Sequence, residues 1–414
     1  AEAGYNKAIE LKPDYVEAYF NLGNILKNIG RLNEAEVCYK KAITIKPDYA
    51  VAHCNLGITL QLLGRLNEAE VSYKKAITIK ADFTEAYNNL GNILHKKGKL
   101  DDAIEKYSQA LTLDPEILVA KTNIISILEC IVPHKKNTNP IIVASRNLQK
   151  INRHYKLENL MKKNELANFF KKCNKVVQDS YKEITTIQTQ IYRRNSIDLG
   201  CNRHKQIFAE SNIIAKACFS CFKVQVEPKN VLELFKLFFI FDKIVLPKNN
   251  SRKCMVELRS SISGTYKGII FCSSIKETNE IIEIISPIIN KLTQCKIKIK
   301  RGCSEYGFSF PEYEETNRNN PNFMKYKDKW HEIEKNFDIK KNIKLINQNS
   351  TLSGISVSDI LIMNNWLNYA KNINDQSYKS ISEEIVYSEY PYQKLTEQLV
   401  KRKENFLSQL DLIY

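Results

Sequence analysis

The tripeptide Asn-Leu-Gly stands at residues 21–23, 55–57 and 89–91, two steps of 34 residues. Other positions keep the same step: Ala35, Ala69 and Ala103; Tyr39, Tyr73 and Tyr107; Ala42, Ala76 and Ala110; Pro47, Ala81 and Pro115. A unit of this length is one supersecondary hairpin, which buries its apolar face only by stacking on a copy of itself. The first third of the chain is therefore held to a solenoid. Each hairpin is expected to set Leu22 and Gly23, with their copies, against the partner helix, the glycine letting the backbones approach. Small Ala35 and Ala42 make room for the next hairpin. Gly30, Gly64 and Gly98 fall just past each first helix, where a left-handed C-cap is expected, and the prolines mark the start of the next unit.

These residues resemble the tetratricopeptide repeat (TPR) pattern over residues 1–115, with Ala1–Pro13 as the second helix of a repeat that began earlier. The resemblance implies an all-α right-handed superhelix whose concave groove, lined by the first helices, takes a peptide or protein. Ala81 in the proline slot is expected to loosen one junction. The array is similar to that of protein O-GlcNAc transferases, in which an asparagine before the Leu-Gly pair holds a bound peptide's backbone. The matching positions are Asn21, Asn55 and Asn89. Asn24 and Asn92, three residues further along the same helix face, are further candidates, because a side-chain amide both donates and accepts. The alternative is that these amides bond neighbouring turns. The transferase's catalytic domain is not recognisable downstream, so glycosyl transfer is not implied.

The pattern ends after Pro115. Residues 116–130 read as one more amphipathic helix, a solvating cap, and close the array at about residue 132. Residues 133–197 read as a basic helical connector, with helical periodicity over 156–192. Charge shifts at the same point. Residues 1–130 hold 16 Lys+Arg against 17 Asp+Glu, so the whole formal excess of +16 lies beyond them. Within residues 131–200, 14 basic side chains face 5 acidic ones, dense enough to attract an anionic partner, nucleic acid included. The opposing reading is a solvated lysine face in a chain rich in Lys, Asn and Ile. No run is long and apolar enough to span a membrane; the most apolar, Val231–Ile244, is broken by Glu233, Lys236, Asp242 and Lys243. Eleven cysteines, an odd number scattered among helical and strand-like runs, predict free thiols and a cytoplasmic, reducing location.

From residue 198 to about 310 the periodicity switches between two and 3.6. Strands are predicted at Phe222–Glu227, Cys254–Arg259, Gly268–Ser273 and Lys296–Arg301, and helices at Val231–Phe241 and Lys276–Leu292. Ile244–Leu246 is a further strand candidate. This β-α-β-β-α-β order is that of a ferredoxin-like α+β domain. Just ahead of the first strand, Cys201-x2-His204 and Cys218-x2-Cys221 form two close pairs that could hold one structural zinc ion. Buried inert thiols or a redox Cys-x-x-Cys pair are the other readings. On the sheet face away from the helices, Lys223, Gln225 and Glu227 are expected beside Lys296, Lys298 and Lys300. Lys267-Gly268-Ile269-Ile270-Phe271 echoes an RNA-binding sheet only in Lys-Gly and one Phe.

Catalytic signatures are missing: no P-loop, no Gly-x-Ser-x-Gly elbow, no dinucleotide fingerprint and no His-Glu-x-x-His. Residues 311–414 read as loop and closing helices, the helices at 357–373 and 392–412. The region from about residue 137 onward resembles an uncharacterised extension behind TPR arrays in AT-rich bacterial proteins. The sequence thus points to an adaptor or scaffold that captures a peptide or protein in its groove and carries a cysteine-rich module. The alternatives are an enzyme whose array recruits substrate, by group transfer or thiol chemistry, and a nucleic-acid binder acting through its basic C-terminal part.

Overall fold

The computed structural model describes residues 1–132, 136–180, 184–194, 199–259, 262–341, 351, 353–382, 400 and 403–404. They form two compact units, 1–143 and 144–414, where the sequence suggested four segments.

In the first unit, helix α1 (Glu2–Leu11) precedes hairpins α2 (Val16–Asn28) with α3 (Leu32–Ile45), α4 (Ala50–Leu62) with α5 (Leu66–Ile79), and α6 (Thr84–Lys96) with α7 (Leu100–Leu113). The next helix is α8 (Leu118–Leu128), so first helices begin at residues 16, 50, 84 and 118. Consecutive first helices touch (α2 on α4, α4 on α6, α6 on α8), whereas the second helices α3, α5 and α7 do not approach one another as closely. The array therefore curves with its first helices on the inner side.

The glycines of the repeated tripeptide leave room for a ring rather than for a backbone. A Cβ on Gly23, Gly57 or Gly91 would lie 2.8, 2.7 or 2.6 Å from Cε1 of Tyr39, Tyr73 or Tyr107, each tyrosine fully buried on the second helix. Gly30, Gly64 and Gly98 have φ of +82°, +80° and +73°. Around Gly30, Arg31 N donates to Leu26 O (2.9 Å) and Gly30 N to Lys27 O (3.1 Å), the pair of bonds that closes a helix on a left-handed residue, and both recur at the other two glycines. Ala81 leaves its junction unchanged: Lys80 before it has φ −128°, ψ 97°, against −128°, 88° for Lys46 before Pro47. Lys46 over Tyr49 and Lys80 over Phe83 repeat there too, at 5.3 and 5.4 Å. Helix α8 buries one face and leaves Leu118 and Val119 exposed. Ala120, Ile124, Ile125, Ile127 and Leu128 are all buried, as in the first helix of a further repeat.

The second unit is built from α9 (Pro140–Arg153), whose first turns belong to the first unit's residues, then α10 (Leu157–Leu160) and α11 (Lys163–Gln178). Strand β1 (Gln190–Arg193), helix α12 (Cys201–Ser211) and a short 3-10 turn (Lys216–Ser220) come next. The order is then β2 (Phe222–Glu227), α13 (Val231–Lys243), β3 (Arg252–Val256), β4 (Tyr266–Cys272), α14 (Ile275–Leu292) and β5 (Lys296–Arg301). The five strands form one small antiparallel sheet in the order β1-β3-β4-β2-β5. Residues 244–246 are not a strand. After β5 come α15 (Tyr306–Ser309), α16 (Trp330–Lys341) and α17 (Val357–Asn372). Most of the predicted helix over 392–412 lies outside the described residues.

Helix α13 is apolar around most of its circumference because it is covered on two sides. One side meets the sheet, where Gly268 admits it: a Cβ there would lie 2.5 Å from Leu237 Cδ2 and 2.9 Å from Phe241 Cε2. That close approach is why a glycine follows Lys267. The other side packs edge-on against Phe169 and Phe170 of α11 and Trp366 of α17. Helix α14 is covered on one side only and accordingly buries a single stripe, Ile281, Ile285 and Ile289.

Candidate functional site

On the inner side of the array, Asn21, Asn55 and Asn89 lie at equivalent places on α2, α4 and α6, and Asn123 continues the row on α8. Each is half-buried. The neighbouring positions explain how the amides are held. Asn55 Nδ2 donates to Asn24 Oδ1 (2.9 Å), which also accepts from Tyr39 Oη (2.8 Å). Two repeats on, Asn123 Nδ2 donates to Asn92 Oδ1 (2.9 Å), again with a tyrosine, Tyr107, on the same oxygen (2.8 Å). In the middle repeat Ile58 takes the place of Asn24, and Asn89 pairs instead with the Cys54 thiol on the preceding first helix. Burial, followed by the Glu85 charge, pushes that thiol up to about 12 despite the amide.

Asn24 and Asn92 are thus supports that aim Asn55 and Asn123. Each aimed amide has spent one of its two N–H groups on a support, and an amide carries a second donor and a carbonyl acceptor besides. Asn123 could have been found from sequence by taking one more step of 34 from Asn89. It was missed because Asn123-Ile124-Ile125 lacks the Leu-Gly that marks the other copies.

In the second unit, Cys201 opens α12, His204 lies buried one turn later, and Cys218 and Cys221 flank the end of the 3-10 turn. Cys218 Sγ lies 3.6 Å from Tyr306 Oη, and its own carbonyl accepts from Tyr313 Oη at 2.6 Å. It sits in an apolar cluster with Ile207, Ile214, Tyr306, Tyr313 and Trp330, and burial pushes its thiol up to about 12. Among the described residues no three His, Cys, Asp or Glu side chains are grouped as ligands for a metal ion. The four predicted zinc ligands therefore have no donor set here, and no chemistry is routed through zinc. What stands beside these cysteines is a cation. Lys223 Nζ donates to Gly302 O (2.5 Å) and lies 3.6 Å from Cys303 Sγ.

The expected sheet face exists. Phe222, Val224 and Val226 are fully buried toward the helices, and Lys223, Gln225 and Glu227 stand opposite Lys300, Lys298 and Lys296 across the β2–β5 ladder. It is not an open basic platform. Glu227 pairs with Lys298 (2.5 Å), Glu314 with Lys300 (3.3 Å) and Glu257 with Lys267 (3.1 Å). Burial opposes the Glu257 charge, yet Arg259 and Lys267 hold its carboxyl down to about 2. Lys253 on β3 is lowered to about 8, by burial first and then by the Lys223 and Lys205 charges.

The tetratricopeptide repeat family model matches residues 16–49 and 84–117, a second model of that description matches 38–71, and a TPR repeat model matches 62–98. Residues 16–117 are tetratricopeptide repeats. The tetratricopeptide array is similar to the first TPR of Spaghetti (RPAP3) bound to the HSP90 peptide SRMEEVD, at 25% identity and a TM-score of 0.27, covering 27% of this chain and 89% of that one. MamA matches at 21% identity and a TM-score of 0.30, over 43% of this chain and 87% of its own. The Arabidopsis OM64 TPR domain matches at 24% identity and 0.27, over 27% and 93%. No curated protein matches the chain. Among the described residues no helix is long and apolar enough to cross a membrane.

Proposed function

We propose that the protein is a binding adaptor whose tetratricopeptide array captures an extended peptide segment on its inner side, with Asn21, Asn55, Asn89 and Asn123 reading the peptide backbone. The observation that carries this is the row itself. Four equivalent first helices present one asparagine each, and two of the amides are aimed by a second asparagine that also accepts from a buried tyrosine. Backbone reading gives affinity without fixing a side-chain sequence, which suits a scaffold with more than one client. Asn24 and Asn92 enter as positioning residues.

We further infer a ferredoxin-like C-terminal module, extended by β1 at the β3 edge. The support is the order β2-α13-β3-β4-α14-β5 together with the sheet order and its antiparallel pairing. Its partner is unassigned by this reading.

The test is affinity capture with the full chain, wild type against Asn21→Ala/Asn55→Ala/Asn89→Ala, with circular dichroism melts to confirm that the array still folds. Partners retained by the wild type and lost from the folded variant support the groove. Recovery of the same set by both removes it.

A further inference from the structure

Three residues of the second unit converge at the start of β2 in a way that neither peptide capture nor a metal site uses. Cys221 and Lys223 are two residues apart, at the entrance to β2 and within it, and so project to the same face of the sheet, the face away from α13 and α14. Across the ladder Phe222 is opposite Arg301, and one step further Gly302 N donates to Cys221 O at 2.7 Å. If β5 simply continued, Cys303 would point to the helix side. It does not, because Gly302 has φ +50° and turns the chain, which brings Cys303 Sγ to 3.6 Å from Lys223 Nζ. The turn requires glycine twice over: a side chain disfavours that φ, and a Cβ would overlap the Tyr313 hydroxyl. Cys303 directly follows the residue whose N–H is bonded to Cys221, and the two thiols are near enough for the charge of one to act on the other; a disulfide between them needs Cα atoms about 4.4–6.8 Å apart.

We propose that Cys303 and Cys221 form a peroxide-responsive thiol pair, with Lys223 positioning and charge-stabilising the attacking sulfur. The Cys303 thiolate attacks one oxygen of hydrogen peroxide and the O–O bond breaks. Sulfur is oxidised to the sulfenic acid, and the other oxygen leaves as water after taking up a proton. The Cys221 thiol then attacks the sulfenic sulfur, the S–O bond breaks, a second water leaves and the Cys221–Cys303 disulfide remains; two thiols and one peroxide give one disulfide and two waters. The roles follow from access and contact. Cys303 is half-buried and touches the ammonium, whereas Cys218 is enclosed and already spends its sulfur on Tyr306. A cation beside sulfur is the environment in which thiols react fastest.

The experiment treats the full chain with hydrogen peroxide in a time course, blocks remaining thiols by alkylation, and maps all eleven cysteines by mass spectrometry without reduction. In the wild type, Cys303 is expected to oxidise first and to appear linked to Cys221, the link disappearing on treatment with dithiothreitol. Cys221→Ser should leave Cys303 as a sulfenic acid trapped by dimedone. Lys223→Met should slow Cys303 oxidation by about tenfold while Lys223→Arg keeps it near the wild-type rate. The ranking of cysteines within the wild type needs no variant, so a misfolded mutant does not spoil the test. The proposal is overturned if Cys303 reacts no faster than buried Cys38 and Cys54, or if its link survives Cys221→Ser. Stoichiometric zinc in the purified chain that is lost in Cys303→Ser overturns it as well.

Discussion

At the scale of single residues, the repeat's conserved spacing reduces to one steric pairing, a glycine on the first helix facing a tyrosine on the second. Gly57 lies in the middle one of the three hairpins and faces the fully buried Tyr73. Gly57→Ala forces the ring aside, and overpacking of this kind costs about 1–3 kcal/mol, read as a lower urea midpoint for the array. An unchanged midpoint would show that the ring has room to move. A second residue-scale prediction concerns acid. Glu70 is nearly buried and held down to about 2 by Lys74 and Lys97, from an ordinary 4.5. Its folded-state pKa is depressed, so its stabilising contribution is complete above about 4.5 and fades as pH falls toward 2. Glu70→Gln should therefore be less stable than wild type at pH 7, and the gap should close between pH 4.5 and 2. A gap independent of pH would assign the effect to packing. The steps of 34 made both glycine and tyrosine legible in the sequence. The pairing between Lys97 and Glu70 was not, because it joins two different repeats across a contact that only stacking creates.

At the scale of elements, the sequence was clearest where one periodicity dominated. Phe222–Glu227 and Lys296–Arg301 alternate cleanly and are strands at those bounds. Strand β1 was hidden because Gln190–Arg193 is four residues long at the sheet edge and overlaps the helical periodicity expected over 156–192, of which residues 184–189 are not helical. What holds it is a distant ion network. Arg193 Nε donates to Asp242 of α13 (2.7 Å), its two terminal nitrogens to Asp359 of α17 (3.1 and 2.8 Å), and its plane lies 4.6 Å from the Phe238 ring centre. Gly354 N closes the network on Asp242 (2.9 Å), and Asp359 also completes the capping box of α17 with Ser356. Arg193 is 4% exposed, so removing it leaves two buried carboxylates without their counterion. Arg193→Met should cost the second unit about 3–5 kcal/mol, whereas an exposed surface pair such as Lys7 with Glu10 should cost well under about 1. Equal effects of the two substitutions on the denaturation midpoint would show that the network is solvated in solution. The zinc candidates meet the same limit of a local pattern. Cys-x2-His and Cys-x2-Cys spacings are local, but a donor set is a three-dimensional fact, and here Tyr306 contacts the Cys218 sulfur while Lys223 stands beside Cys303, a thiol outside those spacings.

At the scale of the molecule, the two units differ in how their stability is assembled, and that difference is measurable. Contacts in the array run between neighbours along the chain, from α1 to α8, so its stability is close to a sum over hairpins and their interfaces. The second unit is knit by partners far apart in sequence: Asn364 donates to Asn174, Trp366 Nε1 to Thr189 O, and Asp375 accepts from both Val231 N and Tyr266 Oη. A local array unfolds with weak cooperativity, while a core closed by long-range bonds opens as one piece. Urea unfolding of the full chain, followed by hydrogen exchange with peptide-level mass spectrometry, should therefore resolve separate transitions for residues 1–143 and for the described part of 144–382. Gly57→Ala should move only the first, and Arg193→Met only the second, because the substituted sites share no partners. A single transition moved by both substitutions would mean that the units are one cooperative body, and that what the array binds is coupled energetically to the thiol pair at the start of β2.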